Sequence, residues 1–321
     1  MAILVTGGAG FIGSHLGERL LASGKELIVL DNFDPYYPRA HKERNIERLK
    51  GRDGCRFIEG DIRDAVALDR AAEGAVIETI VHLAARPGVR ASVENPVLTF
   101  DINLCGTAQV LELARRRGIP RFIFASSSSV YGERNLPPFR EEEPIVQPES
   151  PYAASKAAGE MLCWTYHKLF GLDVSCMRFF TVYGARQRPE MAIHRFTRLI
   201  DRGEELPVYG DGGARRDFTF VDDIIEGLLA AIERAKGYRI YNLGNSQTVE
   251  VREMIGLIER ALGKPARVKN LPVQPGDVSL TCACIDRAAR ELDYCPRTAI
   301  ATGIEKFVDW YRTECRETGG H

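Results

Sequence analysis

The chain has 321 residues, of which 45% are hydrophobic, and its 43 Lys and Arg against 44 Asp and Glu give a net charge of −1. This length suffices for one large domain or two closely joined lobes with a core that needs no disulfide or metal. The balanced charge, the absence of any run of about 18 apolar residues and the lack of a basic start to a signal peptide lead us to expect a cytoplasmic protein without nucleic-acid or membrane partners.

Short β-branched runs alternate with helical patterns through the first half of the chain. The predicted strands cover residues 2–6, 26–30, 56–59, 79–83, 121–125 and 173–178. The predicted helices cover residues 11–22, 64–73, 95–117 and 151–170. This alternation is typical of an α/β fold, specifically a Rossmann-type doubly wound parallel sheet covered on both faces.

The alternation weakens after residue 180, where Gly and Pro become frequent and predicted helices at 193–202 and 222–235 stand apart. We therefore expect a first domain of residues 1–180 and a smaller, mixed α/β lobe of residues 181–321. Some of the chain of the second lobe is expected to cross back to the first domain.

A glycine-rich turn follows the first strand and opens the first helix. Gly7 permits the tight turn, Gly10 lets the backbone approach a pyrophosphate, and Gly13 lets the helix pack on the strand. The N-terminus of that helix offers free N–H groups to phosphates. Asp31 ends the next strand, 18 positions after Gly13, where a carboxylate accepts hydrogen bonds from ribose hydroxyls and repels a 2′-phosphate. The pattern predicts NAD rather than NADP.

Residues after later strands extend this predicted cofactor site. Asp61 and Ile62 follow the third strand and are placed to flank the adenine. Leu83, Ala84 and Ala85 end the fourth strand with residues small enough for a cofactor to pass. Asn103 lies inside the long helix 95–117, where a structural role is the alternative.

A tyrosine and a lysine one helical turn apart, Tyr152 and Lys156, share one face of the helix 151–170. A lysine ammonium beside a phenol lowers the phenol's pKa toward neutrality, which would make Tyr152 a general base for a hydroxyl proton. The serine run that includes Ser126 and Ser127 lies at the carboxyl end of the fifth strand, the edge where ligands bind. Either pattern alone is common by accident, but here both follow a dinucleotide motif.

The eight cysteines are scattered and form no C-x-x-C pair, and the six histidines show no ligand spacing. Cys282 and Cys284 are the only close pair, and two thiols do not make a zinc site. No metal is expected.

Several segments occur in an order that resembles a known family. TGGAGFIG, HLAA, SSSSVYG, SPYAASK, RFFTVYG and RRDFTFVDD resemble the extended short-chain dehydrogenases/reductases, specifically the nucleotide-sugar epimerases and dehydratases, from residue 3 to about residue 311. Within that family the chain is most similar to the UDP-glucuronate 4-epimerases, through residues 31–45, 85–92, 178–192 and 274–278.

The resemblance assigns roles to individual residues. The implied catalytic residues are Ser127, Tyr152 and Lys156. The implied cofactor-binding residues are Gly7, Gly10, Phe11, Ile12, Gly13, Asp31, Asn32, Asp61, Ile62, Leu83, Ala84, Ala85, Asn103, Ser126, Tyr152 and Lys156. The implied substrate-binding residues are Ser127, Ser128, Tyr152, Thr181, Arg188, Arg216 and Asp277. For the phosphate contact, Arg215 is an alternative to Arg216.

The implied activity is interconversion of UDP-glucuronate and UDP-galacturonate through a 4-keto intermediate, with transient reduction of NAD. A homodimer through the helices 95–117 and 151–170 is also implied. Ser128 and Ser129 replace the Asp-Glu pair of the 4,6-dehydratases, and the glutamate of the UDP-glucuronate decarboxylases is also missing. The alternatives are a UDP-glucose or UDP-N-acetylglucosamine 4-epimerase, a UDP-glucuronate decarboxylase, and a non-catalytic NAD-binding regulator.

Overall fold

A computed structural model describes residues 1–132, 136–272 and 280–315. The strands in this part of the chain are β1 Ala2–Thr6, β2 Glu26–Asp31, β3 Cys55–Glu59, β4 Ile77–His82, β5 Arg121–Ser127, β6 Asp173–Phe179, β7 Thr181–Tyr183, β8 Glu205–Tyr209, β9 Arg215–Arg216, β10 Phe218–Phe220, β11 Tyr238–Leu243, β12 Val249–Glu250 and β13 Arg267–Leu271. Seven of them form one parallel sheet in the order β11-β6-β5-β4-β1-β2-β3. The order 3-2-1-4-5-6 is that of a Rossmann fold, so the predicted fold class is confirmed.

Helices cover both faces of this sheet. The α-helices of the described part of the chain are α1 Phe11–Ala22, α2 Arg39–Glu47, α3 Ala65–Ala72, α4 Val89–Glu94, α5 Pro96–Phe100, α6 Gly106–Arg117, α7 Pro151–Phe170, α8 Ala192–Arg202, α9 Val221–Arg234, α10 Val251–Leu262, α11 Asp286–Leu292 and α12 Ile300–Trp310. Successive residues of β1 point to opposite faces, so Ile3 and Val5 join one apolar cluster and Leu4 joins the other. The sheet is therefore buried on both sides, as its uninterrupted apolar strands predict.

The predicted helix 95–117 is one helical run with an irregular middle. A π-helical turn, Asp101–Cys105, separates α5 from α6. Such turns insert an extra residue and often mark functional sites; here the turn contains Asn103. The fifth strand is also longer than predicted, so that Ser126 and Ser127 lie within β5.

The second half of the chain builds a smaller lobe of short sheets and helices. β10 pairs with β7 and β13 with β8 in parallel, whereas β12 and β9 are antiparallel. β11 leaves this lobe and pairs with β6 in the central sheet. One apolar cluster extends from Ile3 in β1 to Phe307 in α12. The lobes therefore share a core, and the division at residue 180 stays a prediction.

The described part of the chain contains neither a membrane-spanning helix nor a cluster of metal ligands. No helix there combines the length and apolar character needed to cross a membrane. In the same part of the chain, no three His, Cys, Asp or Glu side chains are grouped as ligands for a metal ion.

Buried histidines make the stability of this fold sensitive to acid. Burial lowers the pKa of His194 to about 4 and that of His82 to about 3. The unfolded chain binds these protons near pH 6.5 and the folded chain does not, so the free energy of unfolding falls as the pH drops below about 6.5. From pH 7 to pH 5 we expect a loss of about 2 kcal/mol for each such histidine. In urea unfolding, His194→Gln should lose about 2 kcal/mol less than the wild type over this interval; an equal loss in both proteins would contradict the assignment.

Candidate active site

A cavity of about 350 Å³ lies at the carboxyl edge of the central sheet, within the range of small-molecule sites. Its wall is formed by the ends of β1, β2, β4, β5 and β6, together with β7 and the start of α7. The carboxyl edge is where ligands bind in open parallel sheets. The predicted residues that line it are Gly7, Gly10, Phe11, Ile12, Gly13, Asp31, Asn32, Asp61, Ile62, Leu83, Ala84, Ala85, Ser126, Ser127, Ser128, Tyr152, Lys156, Thr181 and Arg188.

The glycine turn leaves no room for side chains. Gly7 has φ +72°, and a Cβ there would lie 2.7 Å from the backbone nitrogen of Ala84. A Cβ on Gly13 would lie 2.4 Å from the carbonyl oxygen of Gly7. Helix α1 starts at Phe11 with its N-terminus at this turn. The turn therefore forms a cradle of bare backbone at a helix N-terminus, which suits a pyrophosphate.

Asp31 is held rigidly at the end of β2. Its carboxylate accepts the backbone N–H of Ala9 at 3.1 Å and that of Phe33 at 2.8 Å, and Lys42 Nζ lies 3.8 Å away. Burial raises the pKa of Asp31, and the charge of Lys42 opposes that shift. A fixed carboxylate beside the glycine turn fits the ribose hydroxyls of NAD.

Asn32 and Asp61 form the next part of the wall. The Asn32 side-chain amide donates to Asp61 Oδ2 at 2.9 Å. Hydrogen bonds from Arg63 lower the pKa of Asp61 to about 2, so this carboxylate is ionised at neutral pH. The pair offers polar groups beside the apolar Ile62, which is a suitable edge for an adenine ring.

The serine, tyrosine and lysine come together from two elements. Helix α7 is capped by Ser150, whose hydroxyl accepts the Ala153 N–H at 3.1 Å; it presents Tyr152 and Lys156 to the end of β5. Lys156 is buried, and its Nζ donates to the carbonyl oxygen of Ala125 at 2.7 Å. The ring centre of Tyr152 is 6.0 Å from that Nζ.

The predicted lowering of the Tyr152 pKa is wrong for this structure. Burial raises the pKa of Tyr152, although a hydrogen bond with Ser127 and the charge of Arg188 favour the phenolate. Burial also lowers the pKa of Lys156 to about 8. The ammonium is bonded to the Ala125 carbonyl and lies 6.0 Å from the Tyr152 ring centre, and desolvation of the phenolate is the largest influence on this pKa.

The predicted sugar contacts Ser128, Thr181 and Arg188 also line the cavity. Thr181 opens β7, Ser128 follows β5, and Arg188 reaches the cavity from the loop after β7. Arg188 Nη1 also lies 3.0 Å from Glu190 Oε1. Its guanidinium carbon is 5.6 Å from the ring centre of Tyr36. Arg188 therefore faces both a ligand space and a competing carboxylate.

Two predicted residues of the described chain, Asn103 and Arg216, are not brought to the cavity, and a third lies outside the described residues. The Asn103 amide is buried; it donates to the Arg86 carbonyl at 3.1 Å and to Ser155 Oγ at 3.0 Å, and its oxygen accepts the Arg86 N–H at 2.7 Å. It braces α7 and the segment after β4, which is the structural alternative. Arg216 lies in β9, where its Nη1 donates to the carbonyl of Arg215 at 3.0 Å, so its phosphate contact stays a prediction. Asp277 lies outside the described residues.

Several lining residues belong to none of the motifs recognised in the sequence. Among them are Tyr36, Tyr37, Lys42, Phe180 and Met191. The first three belong to the segment that follows β2, where three aromatic side chains and several charges lie close together in the sequence. That clustering of aromatic and charged residues is the sequence signal that indicates a binding wall.

Comparisons with known proteins agree with this geometry. The model of the NAD dependent epimerase/dehydratase family matches residues 3–244. The UDP-glucuronate 4-epimerase of Thermodesulfobacterium geofontis is 41% identical over 308 residues, which cover 96% of this chain and 95% of that protein.

Solved structures are similar over nearly the whole chain. The Bacillus cereus UDP-glucuronic acid 4-epimerase, in complex with UDP-glucuronic acid and NAD, has 37% identity and a TM-score of 0.91, covering 97% of this chain and 99% of that one. The Thermotoga maritima UDP-glucose 4-epimerase, with UDP-glucose, has 31% identity and a TM-score of 0.90, covering 98% and 100%. Since the two share a fold but bind different sugars, the sugar has to be argued from side chains.

Proposed function

The chain belongs to the NAD dependent epimerase/dehydratase family, and we propose that it is a UDP-glucuronate 4-epimerase with NAD as its cofactor. The observation that carries the proposal is that one cavity is lined by Ser127, Tyr152 and Lys156 together with the glycine turn and Arg188. Similarity to relatives and structures that bear this name, at 41% and 37% identity, supports it.

The side chains of the cavity suit an oxidation that is later reversed. Bound NAD supplies a hydride acceptor at the sugar C4 and, later in the same turnover, a hydride donor; its oxidised ring also carries positive charge that favours a phenolate. Tyr152 accepts the proton of the C4 hydroxyl, with Ser127 bridging the two oxygens. Once the 4-keto sugar has rotated to present its opposite face, Tyr152 returns the proton to the C4 oxygen. Lys156 stabilises the phenolate while it exists.

Product analysis tests this function. Purified protein incubated with UDP-glucuronate should yield UDP-galacturonate without net formation of NADH, because hydride leaves and returns to the same carbon. UDP-xylose with carbon dioxide would indicate a decarboxylase, and no product would indicate a non-catalytic NAD-binding protein. Stoichiometric NADH would refute the recycling mechanism.

The sugar carboxylate sets a second demand on the site. A 4-keto uronic acid is a β-keto acid, which loses carbon dioxide when its C5–C6 bond aligns with the carbonyl π system. We infer that hydroxyls of Ser127, Ser128 and Thr181 hold the carboxylate out of that alignment, with Arg188 closing over it. The ion pair of Arg188 with Glu190 is the observation that favours a neutral UDP-hexose as the alternative substrate.

Two variants test this clamp. Arg188→Ala and Thr181→Val should each raise the KM for UDP-glucuronate by about 10-fold or more, the usual scale of a charge-assisted hydrogen bond, or release UDP-xylose that the wild type does not form. Activity on UDP-glucose should change less, since that sugar has no carboxylate. Unchanged kinetics on UDP-glucuronate in both variants would return neutral sugars to contention.

We further propose a homodimer through α5, α6 and α7. Apolar side chains on these helices are exposed in the single chain, with Val97 78%, Met161 61% and Leu169 67% accessible. Two such helical runs from each subunit suit a four-helix bundle. Leu113 of α6, by contrast, is buried in the chain's own core. Light scattering at micromolar concentration should give twice the chain mass; a monomer would refute this.

We also infer a cytoplasmic location. All eight cysteines, each within the described part of the chain, are free thiols, as is usual in a reducing compartment. Fractionation of the native host would test it.

A further inference from the structure

A buried ion pair lies directly behind the catalytic side chains. Glu160 in α7 and Arg178 in β6 are 3% and 2% exposed. Arg178 donates to both carboxylate oxygens of Glu160, from Nε at 2.9 Å and from Nη2 at 2.8 Å. Removing two charges from water is costly, and their attraction alone seldom repays it. Stability alone therefore does not explain why this pair is buried, and a functional reason is needed.

Glu160 continues the catalytic face of α7. It lies one helical turn beyond Lys156 and two turns beyond Tyr152, so the three side chains share a face. The Ser126 hydroxyl donates to Glu160 Oε1 at 2.5 Å. Lys156 Nζ donates to the carbonyl oxygen of Ala125, the residue before Ser126, at 2.7 Å. Successive turns of α7 are thus bonded to successive residues of β5, immediately before Ser127.

Arg178 fixes the carboxylate from the other side. In the paired strands it lies opposite Ser126, and its guanidinium carbon is 4.7 Å from the ring centre of Tyr131. Tyr131 ends the short helical turn that follows Ser127, and its hydroxyl donates to Asn242 Oδ1 at 2.7 Å. The Glu160 carboxylate is therefore held by the elements on either side of the catalytic serine.

We propose that Glu160, anchored by Arg178, is a positioning residue for the reaction: it fixes the strand end that carries Ser127 and supplies the negative charge that keeps Lys156 an ammonium ion. This inference deepens the proposed function and rests on it.

The charges around Lys156 support the electrostatic half of this role. Tyr152, Glu160 and Cys163 approach it from α7, His82 from β4, and Arg178 lies beyond Glu160 in β6. Burial lowers the pKa of Lys156 to about 8, while Cys163 and Glu160 act in the opposite direction. His82 is neutral at pH 8, since burial lowers its own pKa to about 3. Losing the Glu160 charge should make the ammonium deprotonate at lower pH.

Glu160→Gln is the first test, because it removes the charge and keeps the shape. We expect kcat for UDP-glucuronate to fall at least about 10-fold, because a displaced Ser127 and a weaker Lys156 charge impair proton transfer. KM should change less than about 3-fold, because Glu160 does not line the binding cavity. In the plot of kcat against pH, the decline on the alkaline side (the alkaline limb) should shift to lower pH by about half a pH unit or more. Glu160→Asp, which keeps the charge, should lose kcat but leave that limb where the wild type has it.

A double variant separates this role from support of the fold. Removing one partner of a buried pair leaves the other charge buried without a partner, whereas removing both charges often restores stability. If Glu160→Gln lowers the melting temperature, the double variant Glu160→Gln/Arg178→Met should therefore restore it. A purely structural pair would then also recover kcat and the alkaline limb. We expect kcat of the double variant to stay below the wild-type value. Its alkaline limb should stay at lower pH than that of the wild type, although by less than in Glu160→Gln.

Glu112→Gln is the matched control, since that carboxylate accepts the Tyr166 hydroxyl of α7 at 3.2 Å, far along the helix from Lys156. Its pH profile should equal that of the wild type. A wild-type alkaline limb in folded Glu160→Gln would overturn the proposal, and so would unchanged kcat. If the wild type converts only a neutral UDP-hexose, the proposed substrate fails, and the same profiles measured on that sugar still decide the role of Glu160.

Discussion

Replacing Tyr152 with phenylalanine should lower kcat for UDP-glucuronate by about 10³-fold, within the range of a lost general base. The substitution removes only the phenol oxygen, which is hydrogen-bonded to Ser127. The glycine turn, Asp31 and Arg188 remain in place, so KM and the amount of NAD retained by the purified protein should change little. Steady-state kinetics and the absorbance of released cofactor measure both.

Tyr166→Phe is a suitable control for this substitution. Tyr166 lies on the same helix, and its hydroxyl donates to Glu112 at 3.2 Å, outside the cavity. Its kcat should match the wild type. Turnover of Tyr152→Phe within a few-fold of the wild type at neutral pH would eliminate Tyr152 as the base.

Tyr152 and Lys156 illustrate what sequence spacing predicts and what it does not. The spacing of Tyr152 and Lys156 predicts a shared helix face, since helix geometry is local. It does not predict the pKa of Tyr152, because that value depends on how deeply the fold buries the phenol and on where the ammonium finds a carbonyl. The shared face is a property of one helical turn, whereas the pKa is a property of the whole packed domain.

The fold shows the same division between local and distant causes. The strands β1 and β2 are largely continuous apolar runs, so their pattern identifies them. β11, with the sequence YRIYNL, mixes polar and apolar residues without a regular period, yet it completes the central sheet by pairing with β6, more than sixty positions earlier. β9 and β12 are two residues long. Pairing partners, not propensity, define such strands.

Among site residues, those in a motif were predictable and those assembled by packing were not. Gly7, Gly10 and Gly13 act through their own backbone, so their spacing is informative. Tyr36 reaches the cavity by lying against Gly88, where a Cβ would meet its hydroxyl at 2.5 Å. Glu160 gains its environment from Arg178 in another element. Neither contact leaves a mark on the sequence around the residue.

The glycine turn gives the other large expected effect. Gly13→Ala should reduce NAD affinity by at least about 100-fold, which corresponds to about 2.7 kcal/mol. The added Cβ would lie 2.4 Å from the Gly7 carbonyl oxygen and 2.6 Å from the Gly8 Cα. Both are backbone atoms, so the clash is relieved only by moving α1 away from β1, and that displaces the N–H groups meant for the pyrophosphate. Cofactor content after purification and calorimetric titration with NAD measure the loss.

Gly256→Ala controls for the general cost of adding a methyl group. Gly256 lies within α10, and the nearest atom to its added Cβ is Nη1 of Arg260 at 3.5 Å, the end of a flexible side chain. Alanine is a better helix former than glycine by up to about 1 kcal/mol, so this variant should bind NAD normally and unfold at an equal or higher temperature. If Gly13→Ala retained NAD as well as Gly256→Ala does, the cofactor would not depend on close packing of α1 against the glycine turn, and the phosphate-binding role of this turn would have to be abandoned.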